Sequence, residues 1–108
     1  MPIEVISWGM VDAMIPIREF TADGAPVGAV ATRLGPYGME LACDRVPPGR
    51  YAWLGFDLPT GVPVKTLAEI VGVVGDNGTS RRVLLRFKHM FPRDRVAMDG
   101  FLTARAAA

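Results

Sequence analysis

Short runs of apolar residues, separated by turn-forming residues, occur along most of the chain. A strand presents successive side chains on opposite faces, so an apolar residue at every second position is typical of a half-buried strand. Residues 51–58 and 81–90 follow this pattern, and 12 glycines and nine prolines divide the rest into similarly short segments. The pattern predicts six strands, at 13–20, 27–34, 39–43, 51–58, 64–74 and 81–90.

The spacing of apolar residues changes after residue 91. In the segment RDRVAMDGFLTARA, Val96, Phe101 and Leu102 fall near one face of a helix. Pro92 suits the first turn of that helix, because the N–H that proline lacks would have no partner there. The sequence therefore predicts a C-terminal helix at about 92–105.

The chain of 108 residues predicts one domain, because this length can bury a single core without disulfide bonds. Half of the residues are hydrophobic, and the mean hydropathy is +0.25, which is typical of a folded protein. The predicted fold is mainly β, a small six-stranded antiparallel β-barrel with a C-terminal α-helix. It spans residues 13–108 and follows an N-terminal segment of residues 1–12.

Alternation also predicts which side chains face out of the barrel. In 51–58 the even-numbered residues face inward, and in 64–74 Thr66 to Val74 do so at every second position. The opposite choice for 64–74 would bury Lys65 and Glu69, at a cost of several kcal/mol if they are unpaired. In 81–90, Val83, Leu85 and Phe87 face inward. The outer face then carries an apolar and aromatic surface with a charged rim, which suits a protein partner: Tyr51, Trp53, Leu67, Val71, Val73 and Arg86. The alternative is that residues 3–11 or the C-terminal helix cover this surface.

Composition bears on the cellular location of the protein. No apolar run reaches the roughly 20 residues that cross a bilayer, and no basic and apolar secretory leader is visible. The single cysteine, Cys43, excludes an internal disulfide and lies in line with the apolar residues Met39 and Leu41, as a core residue would. We therefore expect a cytoplasmic protein that does not insert into a membrane.

Charge gives weak support to nucleic-acid binding. The net charge is only +1, from 12 basic and 11 acidic side chains. Arg82, Arg86 and Lys88 form a basic stripe that could follow the phosphates of a single strand while Trp53 stacks on a base. The same stripe also suits the solvated outer face of an edge strand.

Residues for catalysis are scarce. His89 is the only histidine, the acidic residues form no evident pair, and the GDNGTS segment at 75–80 lacks the lysine of a phosphate-binding loop. The sequence predicts a protein that is not an enzyme and carries no metal or cofactor.

The order of segments from about residue 13 to 103 resembles a PilZ domain. The resemblance is carried by RLGPYGMEL, by a strand ending in DLP, and by VLLRFKHMFPRDR before the final helix. It implies the six-stranded barrel with its C-terminal helix. Many PilZ domains are receptors for the bacterial second messenger c-di-GMP.

The ligand motif of the family is degenerate here. The family has two arginines four positions apart before the first barrel strand, and Asp or Asn, then Ser, then Gly in the turn after the second strand. On this chain Arg33 replaces the acid, Gly35 replaces the serine, and only Gly38 matches. The segment 7–14 has no arginine, and the loss of both removes bonds worth roughly 1.5 to 3 kcal/mol each. Gly38 is instead expected to supply a positive φ in a hairpin turn, with Pro36 setting the bend.

The resemblance implies a role without nucleotide. PilZ-like domains that lack the ligand motif act as adaptors in bacterial motility, cell polarity and type IV pilus function, by binding proteins. An atypical c-di-GMP receptor that uses Arg18, Arg33 and the turn amides is the alternative, and single-stranded nucleic-acid binding is a second one.

Overall fold

The computed structural model describes residues 9–21 and 25–107 of the chain. Within them the predicted six-stranded barrel with a C-terminal helix is confirmed. Residues 1–8 of the predicted N-terminal segment, and residues 22–24 of the first predicted turn, lie outside the described residues. The elements are β1 Val11–Thr21, β2 Val30–Leu34, β3 Gly38–Cys43, β4 Tyr51–Asp57, β5 Pro63–Asp76, β6 Arg81–Met90 and α1 Pro92–Ala107.

The strands form a closed antiparallel barrel in the order β1-β2-β3-β6-β5-β4, and β4 pairs back to β1. β1 closes the barrel because its two halves have different partners. Residues 11–16 pair with β2, and residues 17–21 pair with β4. The ladder register shifts on both sides, between Asp12 and Ile15 and between Ile17 and Glu19. Such shifts bend a strand and increase its twist, which lets one strand serve both neighbours.

Alternating side chains of the strands fill the barrel interior. The prediction for β4 is confirmed, since Ala52, Leu54 and Phe56 are buried. The prediction for the first half of β5 is also confirmed, since Thr66 and Ala68 are buried. The hydroxyl of Thr66 donates a 2.8 Å hydrogen bond to the carbonyl oxygen of His89, so this buried polar group is satisfied.

The prediction for the second half of β5 is wrong at Val74. This residue was expected inside, but it is 39% exposed. The pairing with β6 shifts between Ile70 and Gly72 and again between Val73 and Gly75. Each shift inserts one extra residue in β5, Val71 and then Val74, so the inside–outside alternation does not continue along this half of the strand.

The prediction that Gly38 supplies a positive φ is also wrong. Gly38 is the first residue of β3 and pairs with Arg86 of β6, so its backbone is that of a strand. The turn is closed by a 2.9 Å hydrogen bond from the N–H of Gly35 to the carbonyl oxygen of Gly38. Pro36 and Tyr37 form the bend with negative φ, as do the other non-glycine residues of the described ranges.

Helix α1 closes the end of the barrel at which β1 and β5 begin. Met98 is fully buried within the core, and Leu102 lies beside it. At the start of the helix the buried carboxylate of Asp94 accepts a 3.1 Å hydrogen bond from the backbone N–H of Lys65. Nη1 of Arg95 donates to the carbonyl oxygen of Pro36 at 2.6 Å. Among the described residues, no helix has both the length and the apolar character that a bilayer crossing requires.

Met98→Ala is expected to destabilise the protein by about 2–5 kcal/mol, because it removes a fully buried side chain that joins the helix to the barrel. Urea unfolding followed by circular dichroism measures the change. Val96→Ala on the same helix is the control, since Val96 is 72% exposed and its loss should change stability by less than about 0.5 kcal/mol. Equal effects of the two variants would contradict this packing.

Candidate functional site

The outer face of β4, β5 and β6 carries the centre of the predicted surface. Trp53 pairs with Leu67 across the β4–β5 ladder, and Leu67 pairs with His89 across the β5–β6 ladder. Directly opposed residues of neighbouring antiparallel strands share a face, so the three side chains form one row. Trp53 lies between the inward-facing Ala52 and Leu54, which places this row on the outside.

An aromatic cluster of Trp53, His89 and Phe91, with Leu67 beside it, forms on this row. The Trp53 and Phe91 rings are stacked, with centroids 6.3 Å apart and planes 17° apart. The His89 ring meets both edge-on, at 6.1 Å from Trp53 and 5.2 Å from Phe91. Phe91 is 51% exposed, so the cluster presents an ordered aromatic surface to solvent.

The sequence analysis missed His89 and Phe91 as members of this surface. His89 has the same parity as Leu85 and Phe87, which face inward, so alternation along β6 does not place it outside. The ladder shifts between Leu67 and Ala68, and the extra residue, Lys88, turns His89 to the outer face. The sequence feature that could have pointed to Phe91 is its position directly before Pro92, the residue that begins the helix.

A hollow of ≈ 290 Å³ lies beside the aromatic cluster. Its lining is formed by Thr21 at the end of β1, Trp53, Lys65 and Phe91. The ammonium group of Lys65 has no ion-pair partner among the described residues. The hollow therefore combines two aromatic walls with a cation that remains available to a bound partner.

A charged group centred on Glu69 borders the cluster on its other side. The Glu69 side chain is 14% exposed and lies 3.2 Å from Arg50 Nε, 3.7 Å from Arg86 Nη1 and 4.0 Å from Lys88 Nζ. The Arg50 guanidinium also lies over the Tyr51 ring, at 5.3 Å from its centroid. Because one carboxylate is shared by three cations, this rim of the cluster is electropositive.

Val71 and Val73 do not join the aromatic cluster. Both are exposed, at 45% and 46%, but Glu69 and its cations separate them from Leu67 along β5. The structure therefore divides the predicted surface in two. Tyr51, Trp53, Leu67 and Arg86 lie in or beside the cluster, and the two valines belong to the far half of β5.

The C-terminal helix does not enclose the cluster. Its buried residues Asp94, Met98 and Leu102 point to the barrel end, while Trp53 is partly exposed and Phe91 half exposed. Residues 3–8 of the other segment that was considered as a cover lie outside the described residues.

The candidate nucleotide positions do not converge. In the ladders Arg33 lies opposite Asp12 of β1 on one side and Glu40 of β3 on the other, and its buried Nε has no hydrogen-bond partner among the described residues. Arg18 lies six residues beyond Asp12 along β1, roughly 20 Å at about 3.3 Å per residue. Its guanidinium contacts Glu19 at 3.5 Å and Asp57 at 3.4 Å. Gly35 lies in the turn and Gly38 in β3. Arg18 and Arg33 are too far apart to bind one nucleotide together.

Each cation of the basic stripe on β6 contacts a carboxylate. Arg82 Nη1 lies 3.6 Å from Glu40 Oε1, while Arg86 and Lys88 share Glu69. A phosphate backbone would have to compete with these carboxylates for each cation. The geometry therefore gives nucleic-acid binding no added support.

A second hollow, of ≈ 390 Å³, lies over β3 and β6 and is lined in part by Thr32, Glu40, Arg82 and the turn at 75–80. Its polar groups satisfy one another. The Thr32 hydroxyl donates to Glu40 Oε1 at 3.3 Å, and the Asn77 side chain accepts from the N–H of Ser80 at 2.8 Å. This hollow therefore presents fewer unpaired groups than the one beside the aromatic cluster.

Cys43 is a core residue, as predicted, with 4% exposure. Burial raises the pKa of its thiol, the carboxylate of Asp44 raises it further, and the charge of Arg81 acts in the opposite direction. A thiol with a raised pKa is a poor nucleophile at neutral pH.

Comparison with known proteins agrees with the architecture. No protein-family model matches the chain, and no curated protein matches it in sequence. Among solved structures, this closed barrel with its helix is similar to the Bacillus subtilis inhibitor of motility, MotI/DgrA, with a TM-score of 0.75. The identity is 15%, and the match covers 91% of this chain and 49% of that one. The chain thus spans about half the length of that protein, and the likeness shows a shared fold.

Glu69→Gln is expected to lower stability by about 1 kcal/mol, because three cations lose their common carboxylate. Urea unfolding at low and high salt measures this, and the loss should shrink as salt screens the cations. Asp99→Asn is the control, since Asp99 makes a single exposed pair with Arg95. A loss for Glu69→Gln that is equal at both salt concentrations would contradict the electrostatic explanation.

Proposed function

We propose that this protein is a non-enzymatic, PilZ-like adaptor that regulates bacterial motility by binding another protein in the cytoplasm. The aromatic cluster on the outside of β4, β5 and β6 carries the proposal. Three rings in mutual contact, with an adjoining hollow and a cationic rim, form a preorganised anchor for a partner side chain.

The cluster has the composition that protein interfaces favour. Tryptophan and arginine are enriched among the residues that dominate binding energy, and rings held on rigid strands lose little entropy on binding. Lys65, Arg50 and Lys88 surround the rings, so acidic residues around an apolar anchor would complement this surface on the partner.

Two likenesses support motility as the process. The segment order resembles PilZ domains without the ligand motif, whose members serve in motility, cell polarity and type IV pilus function. The fold is similar to that of a protein described as an inhibitor of motility. These likenesses favour a motility or signalling machinery as the source of the protein partner.

An atypical c-di-GMP receptor is the second candidate. One observation favours it, because the Nε of Arg33 is buried without a hydrogen-bond partner, as expected of a donor that awaits a ligand. Against it, Arg18 lies far along β1 and is engaged by two carboxylates. We therefore propose that the protein acts without nucleotide.

Trp53→Ala is expected to remove function while the barrel stays folded, because it deletes the ring that contacts both other members of the cluster. The variant would replace the native gene in the source bacterium, with motility on soft agar and partner recovery after cross-linking as readouts. Phe91→Ala should act in the same direction, since it removes a ring of the cluster that is 51% exposed.

Met14→Ala is the control, because Met14 is 76% exposed in the half of β1 that pairs with β2, seven residues before the Thr21 that pairs with Trp53. Its motility and partner recovery should equal those of the native protein. Native function in both cluster variants, with folding confirmed by circular dichroism, would exclude this surface.

Calorimetric titration with c-di-GMP at near-physiological salt is expected to give no binding heat up to about 100 µM, because no pair of arginines converges on a site. Low-micromolar binding that Arg33→Ala abolishes would contradict the proposal that the protein acts without nucleotide. It would establish the atypical c-di-GMP receptor instead.

A further inference from the structure

The far half of β5 has an unpaired edge. β4 pairs with β5 only along Pro63–Glu69, and the last hydrogen bond on that side runs from the N–H of Ile70 to the carbonyl oxygen of Arg50, at 2.7 Å. From Val71 to Asp76, β5 pairs with β6 alone among the described residues. Its other edge therefore leaves backbone donors and acceptors open to an added strand.

The side chains on this half of β5 are apolar and exposed. Val71, Val73 and Val74 are 45%, 46% and 39% exposed, and the segment 70–75 contains no charged residue and no proline. Natural edge strands usually carry lysine, proline or a covering loop that prevents pairing with another chain. This segment has two bulges but no lysine and no proline, and beyond Ile70 none of the described residues pairs with its free edge.

We propose that a second copy of this chain pairs with this edge, so that two β5 segments lie antiparallel across a two-fold axis. The two barrels would then share a continuous set of strands through β6-β5 of one copy and β5-β6 of the other. Identical strands pair in this way through a single self-complementary patch, which is the commonest symmetry of homodimers. The proposal is independent of the function proposed above.

Charge favours a second copy as the occupant. When Val73 of one copy lies opposite Val73 of the other, residues 71–75 pair with residues 75–71, and Asp76 of each copy reaches the edge beside Arg50 of its partner. Within one copy Arg50 contacts Glu69 at 3.2 Å and Asp76 contacts Arg81 at 3.5 Å. Their side chains are 72% and 48% exposed, so each can also face a charge on the other copy. Two arginine–carboxylate contacts would close the ends, and the uncharged middle brings no like charges together.

The aromatic cluster stays outside this contact. Glu69 and its three cations separate Leu67 from the edge segment, and Trp53 lies on β4 beyond them. Each dimer would therefore display two aromatic clusters to its partners.

Sedimentation velocity of the purified chain over about 5 to 500 µM tests the proposal, because dimerisation follows mass action. We expect a monomer-to-dimer shift that Val73→Lys weakens at least about 100-fold, since it places two ammonium groups beside the two-fold axis. Val96→Lys adds the same charge on helix α1, at a site that is 72% exposed, and should dimerise like the native chain. A native chain that stays monomeric over the whole range overturns the proposal.

Disulfide trapping gives a second readout that does not need the lysine variant to fold. Val73→Cys should form a covalent dimer under mild oxidation, because the two thiols meet near the axis. Cys43 is buried and should not cross-link, and Val96→Cys is the control. Dimerisation by sedimentation without trapping at position 73, or with equal trapping at position 96, would place the contact elsewhere and overturn this interface.

Discussion

Closure of the barrel through β1 is the constraint on which the rest of the structure depends. The backbone groups of a strand must find partners, and an open sheet of six strands would leave two unpaired edges. β1 prevents this by pairing with β2 along its first half and with β4 along its second. The closed barrel then encloses one core, and helix α1 covers the end where Met98 would otherwise meet solvent.

The unequal lengths of β4 and β5 create the two surfaces of functional interest. β4 has seven residues and β5 has 14, so only the first half of β5 has a strand on both sides. In that half the ladder pairing aligns Trp53, Leu67 and His89 in one row. The second half extends past β4 as an apolar edge. Glu69 marks the boundary, and its three cations keep the two surfaces distinct.

The proposed function uses this small scaffold for contacts with another protein. Trp53 and His89 sit on strands whose backbones are held by neighbouring ladders, which fixes their geometry before binding, and Phe91 follows directly after β6. Arg18, Arg82 and Arg86 each contact a carboxylate, so a nucleotide would have to compete with these acids for them.

Local periodicity by itself determined the number of strands, the inner faces of β4 and of the first half of β5, and the final helix, because neither a two-residue period nor a helical period needs knowledge of neighbouring elements. Only the tertiary structure decided where that period breaks. The bulges at Val71, Val74 and Lys88 arise from the pairing register of the β5–β6 hairpin, and they move Val74 and His89 outward. The tertiary structure likewise paired Glu69 with its cations and separated Arg18 from Arg33, because such contacts depend on which strands lie side by side.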